Sequence, residues 1–385
     1  QAARELNTDV VELRRINFVK PEQMPYKTSA GELYDTGEFA KVMETSMAKA
    51  DWSGAAKRKA EAKAQGKLRG IGMCYYIEST MGDPTEHADI RFEDDGTVSV
   101  RVGTQSNGQG HETAYAQVLH VRLGVPFEKV RIVQGDTARV KAGGGTGGSR
   151  SLTAQGTAIN SASDIVIERG KAYAAMHFET AAADIQFDDG TFSVAGTDKA
   201  IDIMELAKKA RTMASPAEGI DGGLDAETTI KLDAWTFPNG CHIAEVEIDP
   251  DTGVVEVVRY ATVDDCGVVL DRTIAHGQIV GGMAQGLGQV LLEEMRYDSD
   301  GQVLSGSLMD YGMPRADTMP VALASAFHPV PSPTNAIGVK GIGEAGTSGS
   351  LAAIMNAIAD AIPGGRGADI DMPATPEKVW RACKG

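Results

Sequence analysis

One plan occurs twice along this chain, and it limits the fold more than any other feature: a hairpin, a glycine-bearing loop and a helix. In the first half, ADIRFEDDGTVSVRVGT (88–104) reads as strand on either side of Asp94-Asp95-Gly96, the pattern of two antiparallel strands joined by a tight turn. The strand-like GKLRGIGMCYYIEST (66–80) precedes it. HETAYAQVLHVRLG (111–124) follows, with Ala114, Val118, Leu119 and Val121 or Leu123 at helical spacing and Gly124 as its stop. VRIVQGD (130–136) reads as a short buried strand, which leads through the loop 137–151 into a helix rich in Ala, Ile and Val. In the second half, CHIAEVEIDPDTGVVEVVRYATVDDCG (241–267) is again a hairpin over an Asp/Gly turn, and RTIAHGQIVGGMAQGLGQVLLEEM (272–295) is again a glycine-punctuated helix. The prediction is an α+β fold of two duplicated lobes, each a twisted β-sheet with helices.

Gly282, Gly286 and Gly288 would each cost about 1 kcal/mol relative to Ala in a helix interior, so this helix is expected to approach a neighbour or ligand closely. Between the halves, 162–210 reads as a helix, a small hairpin and a second helix, and TMASPAEGIDGGLDAETT (212–229) as a loop or lobe boundary. The expected division is a connecting helical segment over 1–65, a first lobe over 66–229 and a second over 230–385. The opening QAARELNTDVVELRRINF starts at Gln1 in what reads as the middle of an amphipathic helix, as in a processed product or a piece of something longer.

Composition excludes several functions. At 385 residues and 42% hydrophobic the chain can bury a sizeable core, yet no apolar run approaches the about 20 residues needed to cross a bilayer. The start lacks the charged and apolar regions of a secretory leader. A net charge of −16 without a basic patch argues against nucleic acid or an anionic membrane as partner, and its bland reading is solubility. The four cysteines lie apart with no C-x-x-C pair, which signals neither an iron–sulfur cluster nor a structural zinc site and fits reduced thiols in the cytoplasm. His87, Cys241 and His242 are too dispersed for a metal site, and HE at His111-Glu112 lacks the second histidine of H-E-x-x-H, since position 115 is Tyr115. That pair is expected to cap or anchor its helix.

The chemistry is carried by four glycine-rich junctions: GTQSNGQGHET (103–113), GGGTGGSRS (143–151), GQIVGGMAQGLG (277–288) and GVKGIGEAGTSGS (338–350). Loops entering helices expose backbone N–H groups and the positive end of a helix dipole, which suits an anion, although any one such loop can simply turn a corner. None matches the P-loop, and none gives the dinucleotide fingerprint after a strand with an acid about 20 positions on. Several loops converging, and not one motif, is the pattern.

In order, these segments resemble the molybdenum-cofactor-binding subunit of the xanthine oxidase family, which includes aldehyde oxidases, carbon monoxide dehydrogenases and N-heterocycle hydroxylases. The resemblance runs through ELRRINF (12–18), MPY (24–26), YDTGEF (34–39), the GQGHET and GTGGSRS loops, DDCG (264–267), GQIVGGMAQGLG, LEEM (292–295), DYGMPRADTMP (310–320) and KGIGEAG (340–346). It covers nearly the whole chain, but the family's subunit is normally about twice as long. The resemblance therefore implies the C-terminal half of that subunit, completed by an N-terminal half or companion chain.

What the resemblance implies is a molybdopterin cofactor, in bacteria often the cytosine dinucleotide form, whose dithiolene holds the molybdenum so that no protein metal ligand is needed. Electrons would pass to a two-iron two-sulfur subunit and an FAD subunit. Glu344 is implied as the general base that takes a proton while water-derived oxygen attacks an electrophilic C–H carbon of an N-heterocycle or aldehyde. Flanking glycines would give it clearance, and a helix from about Ser350, capped by Thr347 or Ser348, would follow. Read by itself, without the other motifs, Glu344 is better taken as a solvated acid at a helix start. Gln109 and Gly110, Thr146, Gly147, Gly148, Ser149, Arg150 and Ser151, Gln278, and Lys340, Gly341 and Gly343 are implied as cofactor contacts: the two glutamines at the pterin, the 146–151 loop under the metal and around the phosphate. The bland alternatives are a loop-closing bond for Gln109, a surface charge for Arg150 and a solvent-facing helix position for Gln278. Oxidation of carbon monoxide, a non-catalytic cofactor-holding protein and a plain glycine-rich structural domain are the competing functions. The expected location is the cytoplasm, with the periplasm as the alternative.

Overall fold

The computed structural model describes residues 2–216, 220 and 223–385. At the N-terminus, α1 (Ala2–Glu5) and α2 (Val10–Asn17) are separate helices. The continuous amphipathic helix expected here is interrupted because Asn7 takes a left-handed φ of 48° and Asp9 starts a new helix, its carboxylate accepting from Val11 N at 2.9 Å and Glu12 N at 3.0 Å. A two-strand ladder of β1 (Tyr26–Lys27) and β2 (Leu33–Tyr34) precedes α3 (Phe39–Ala50) and α4 (Ala55–Ala64). The strand β3 (Leu68–Ile77) comes next.

The first predicted hairpin is β4 (Thr85–Phe92) against β5 (Val98–Val102). Its turn forms at Asp94-Asp95-Gly96 because Asp95 Oδ1 accepts from Thr97 N at 3.0 Å and Thr97 Oγ1 at 2.6 Å, and Gly96 supplies the φ of 78°. The helix α5 (His111–Leu123), closed by Gly124 at φ 63°, crosses back so that β6 (Val130–Val133) runs parallel to β5. Expected to be buried, β6 is instead a half-exposed edge, with no strand beyond it among the described residues. A π-helical turn at Ser151–Gln155 opens α6 (Gly156–Phe178). A small antiparallel sheet of β7 (Ile185–Asp188), β8 (Thr191–Val194) and β9 (Ala200–Asp202) leads to α7 (Ile203–Ala210). Of the expected connector 212–229, residues 217–219, 221 and 222 lie outside the described residues, and its end is already β10 (Ala226–Lys231), paired antiparallel with β4.

The second plan repeats the first. β11 (Asn239–Ile248) and β12 (Val255–Asp265) form the hairpin, α8 (Arg272–Leu291) crosses over, and β13 (Ala322–Phe327) runs parallel to β12. The helices α9 (Ala345–Ala361) and α10 (Pro376–Lys384) complete the chain. The two principal sheets have the orders β10-β4-β5-β6 and β3-β11-β12-β13, each a hairpin flanked by an antiparallel strand on one side and a parallel strand on the other. The fold is the predicted α+β duplication.

Contacts divide the chain into unit 1 (Gln1–Ser79, Phe237–Ser332, Ile342–Gly385) and unit 2 (Thr80–Thr236, Pro333–Gly341). This differs from consecutive lobes at 66–229 and 230–385, because β3 hydrogen-bonds to β11 along its whole length and 229/230 falls inside β10. In unit 1, Ala244, Val246 and Ile248 pack with Met283, Leu287 and Val290 of α8 and Ile354 and Ile358 of α9. Each large aliphatic side chain buried there stabilises the fold by about 1.5–3 kcal/mol. Among the described residues no helix is long and apolar enough to cross a membrane.

Candidate cofactor and catalytic site

Unit 2 carries two of the four glycine-rich loops, and a buried polar network holds them together. Gly103 and Gly143 approach so closely that a Cβ on either would overlap the other's backbone, and Gly145 N donates to Gly103 O at 3.3 Å. Gln155, fully buried at the π-helical turn, accepts from Gly103 N at 3.0 Å and donates through Nε2 to His87 O at 2.8 Å. Tyr115 of α5 shares a hydrogen bond of 2.8 Å with Thr104 Oγ1 and donates to Ser151 O at 3.4 Å. Arg150 is 1% exposed, not a surface charge: it donates to Glu86 Oε2 at 3.0 Å and to Gly145 O at 3.1 Å.

Several glycines of these loops stand in open space. Gly148 and Ser149 are consecutive left-handed residues at φ 63° and 54°, and Met81 N donates to Gly148 O at 2.9 Å. At Gly108, Gly145 and Gly147 no atom lies within 4 Å of where a Cβ would stand. Gly110 is the N-cap of α5, at φ 78°, and brings no side-chain acceptor to that helix's first turn. His111 does not cap the helix; it is buried beside Tyr115, its Nδ1 has no hydrogen-bond partner among the described residues, and burial pulls its pKa below the ordinary 6.5 while Gln134 and Glu112 oppose. Uncapped N–H groups and glycine clearances fit a phosphate-bearing cofactor. Among the described residues no three His, Cys, Asp or Glu side chains are placed to hold a metal ion.

The implied contacts differ in what they already do. Gln109 Oε1 accepts from Asn107 N and from Ser106 Oγ at 3.4 Å, so it closes its own loop, and its Nε2 takes no part in those bonds. Thr146 Oγ1 donates to Gln105 O at 2.6 Å and accepts from Gln105 N at 3.1 Å, tying one loop to the other. Ser151 Oγ donates to Thr146 Oγ1 at 3.5 Å. Lys340 is buried, and Gly341 packs on the Ser149 backbone, where a Cβ would meet Ser149 O at 2.6 Å. Gln109, Gly110, 146–151, Lys340 and Gly341 are thus residues of one compact unit.

The remaining residues, Gln278, Gly343 and Glu344, belong to unit 1. Glu344 is the N-cap of α9, which begins at Ala345 and not near Ser350, and Ser348 N donates to Glu344 O at 2.9 Å. Thr347 caps nothing: its Oγ1 donates to Gly282 O at 3.0 Å and Gln285 Oε1 at 3.1 Å, fastening the first turn of α9 to α8. Gly346 lies against the carbonyl of Ile279, one residue beyond Gln278. Gln278 is half-buried, whereas Gly343 and Glu344 are exposed.

Beneath α9 is a network that the sequence did not disclose. Gly349 rests on the ring of His242, whose Nε2 lies 3.0 Å from Asp264 Oδ1 and whose Nδ1 lies 2.7 Å from the Tyr260 hydroxyl. A carboxylate accepts, so Nε2–H donates to Asp264, while Nδ1 and the Tyr260 hydroxyl share the other hydrogen bond. Tyr76 OH and Thr262 Oγ1 donate to Asp264 at 2.8 Å and 2.5 Å. Burial and the Asp264 charge hold the Tyr76 and Tyr260 hydroxyls well above their ordinary pKa. The signal available was strand register: His242 pairs with Thr262, which puts Asp264 two residues from its partner.

Against known proteins, the molybdopterin cofactor-binding domain family matches residues 45–320. The nicotine 6-hydroxylase large subunit of Paenarthrobacter nicotinovorans is 34% identical over all of this chain and 48% of its own length. The carbon monoxide dehydrogenase large chain of Afipia carboxidovorans is 33% identical over 98% of this chain and 49% of its own. In structure, quinoline 2-oxidoreductase from Pseudomonas putida 86 superposes with a TM-score of 0.90 at 33% identity, covering 100% of this chain and 50% of that one. The chain spans about half the length of the curated relatives it matches.

Proposed function

Because the chain belongs to the molybdopterin cofactor-binding domain family, we propose that it is the C-terminal cofactor-binding half of a molybdenum hydroxylase acting on a C–H carbon of an N-heterocycle or aldehyde. The observation that carries this reading is Glu344, an exposed carboxylate at the start of a helix whose first turn is fastened by Thr347 and packed through Gly346. Such a group is held in place without being enclosed, as a general base must be.

In unit 2, the backbone N–H groups of 147–149 and of the first turn of α5 would hold the cofactor's phosphate, with Ser149 and Ser151 adding hydroxyls. The Thr146 hydroxyl is engaged by Gln105, so Thr146 contributes through its main chain. Gln109 would use the Nε2 amide that its loop leaves aside, and Lys340 and Gly341 would add contacts from a segment that packs on Ser149 at Gly341. Arg150, paired with Glu86, sets the loop's shape and does not itself bind. In unit 1, Gln278 would meet the pterin, and Glu344 would hold the proton removed during the reaction. When bound, the molybdenum cofactor, proposed as the cytosine dinucleotide form, supplies the two-electron redox centre. Two-iron two-sulfur and FAD subunits would take the electrons, and the complementary half of the subunit would complete the enzyme.

Glu344→Gln in the assembled complex tests the reading. Molybdenum and pterin content should stay unchanged while hydroxylation of an N-heterocycle with a dye acceptor falls by about 10²-fold or more. Unchanged turnover would remove Glu344 from the role of base and sink the reading built on it.

A further inference from the structure

The thirty residues between α8 and β13 contain an unusual surface. Met295, Tyr297, Leu304, Leu308, Met309 and Met313 are all exposed, Leu308 by 74% and Met309 by 96%. This is not a slack linker. Leu304 N donates to Arg296 O at 2.7 Å, Arg296 N to Ser305 Oγ at 2.9 Å, and Tyr297 bridges Val303 as a short antiparallel pair. Further on, Tyr311 N donates to Ser307 O at 2.8 Å, and the Tyr311 hydroxyl to Glu293 Oε2 at 2.8 Å. Backbone and side-chain bonds thus fix a segment whose large apolar side chains the described residues leave half or more exposed. Large apolar side chains exposed along one hydrogen-bonded segment mark a contact site.

Resting on the reading of this chain as half of a larger subunit, we propose that the 292–321 segment is the docking surface for the complementary half. Two observations select that occupant. The relatives have as much chain again beyond the part matched here, so a polypeptide of that size is available to cover it. A second copy is disfavoured by charge: the segment carries Glu293, Glu294, Asp298, Asp300, Asp310 and Asp317 against Arg296 and Arg315, on a chain of net charge −16. Two copies meeting here would oppose acid to acid; the fitting partner offers an apolar centre ringed by lysine or arginine.

The experiment adds the purified complementary half to the isolated chain and reads association by titration calorimetry and amide hydrogen exchange. Exchange at 295–313 should slow at least tenfold on association. The double variant Leu308→Asp/Met309→Asp should weaken association at least tenfold with an unchanged melting temperature of the isolated chain, while Val121→Asp, also at an exposed apolar residue, should not weaken it. Unchanged exchange, unchanged association in the double variant, or self-association of the isolated chain through this segment would each overturn the proposal. Association is read without turnover, so this result stands or falls separately from that of Glu344→Gln.

Discussion

At the scale of single residues, the Arg150–Glu86 pair governs the 143–151 loop. Its side chains are 2% and 0% exposed, so both charges are desolvated and each depends on the other. Glu86 also accepts from His87 N at 3.1 Å, and Arg150 from its other side fixes Gly145 O. Removing the cation alone leaves a buried carboxylate without compensation. Arg150→Met should therefore destabilise the chain by about 3–5 kcal/mol in urea unfolding, and Glu86→Gln combined with it should recover much of that loss. A double variant as unstable as the sum of the singles would refute the coupling. Nothing in the sequence pairs these residues: in GGSRS an arginine has a surface charge's appearance, and its partner lies 64 positions upstream. Glu344 stood out as a candidate for the opposite reason, since its context of glycines is local.

Among elements, the packing of α9 decides the architecture around Glu344. The helix lies so close to β3 that a Cβ on Gly70 or Gly72 would overlap the backbone of α9 at Ala357 and Ala361, or at Ala353 and Ala357. On its other side Gly282 and Gly286 of α8 meet Gly346, Thr347 and Ser350. The cost of those helix glycines pointed to a close neighbour in the sequence; which neighbour is a tertiary fact that spacing does not contain. The same packing explains why α9 begins five residues earlier than its apolar pattern indicated. Gly346 and Gly349 are poor helix formers, yet contact with Ile279 and His242 favours a helix there over propensity. Gly72→Ala should accordingly cost about 1–3 kcal/mol, because backbone cannot yield as a side chain does. Gly281→Ala, where no atom lies within 4 Å, should stabilise by about 0.5–1 kcal/mol. Thermal unfolding of both variants checks the pair, and equal shifts would contradict the packing described.

For the whole molecule, the connection between sheets matters more than the sheets themselves. The duplication was readable because each hairpin, its Asp/Gly turn and its helix are local. The order of assembly was not, because β3 and β10 take up matching places beside their hairpins from opposite directions along the chain: β3 precedes β11, whereas β10 follows β4. Strand pairing across such separations leaves no periodic trace, so a composition-based boundary at 229/230 cut through a strand. This has a direct consequence for fragments. Residues 80–236 contain every strand and helix of unit 2 and lack only the nine-residue return of 333–341, so this fragment should fold with a cooperative thermal transition. A fragment of 66–229 carries β3 without β11, exposing both its edges, and divides β10. It should aggregate or unfold without cooperativity. Circular dichroism melts of the two fragments decide between the interleaved units and consecutive lobes: a cooperative 66–229 beside an unfolded 80–236 would favour the latter.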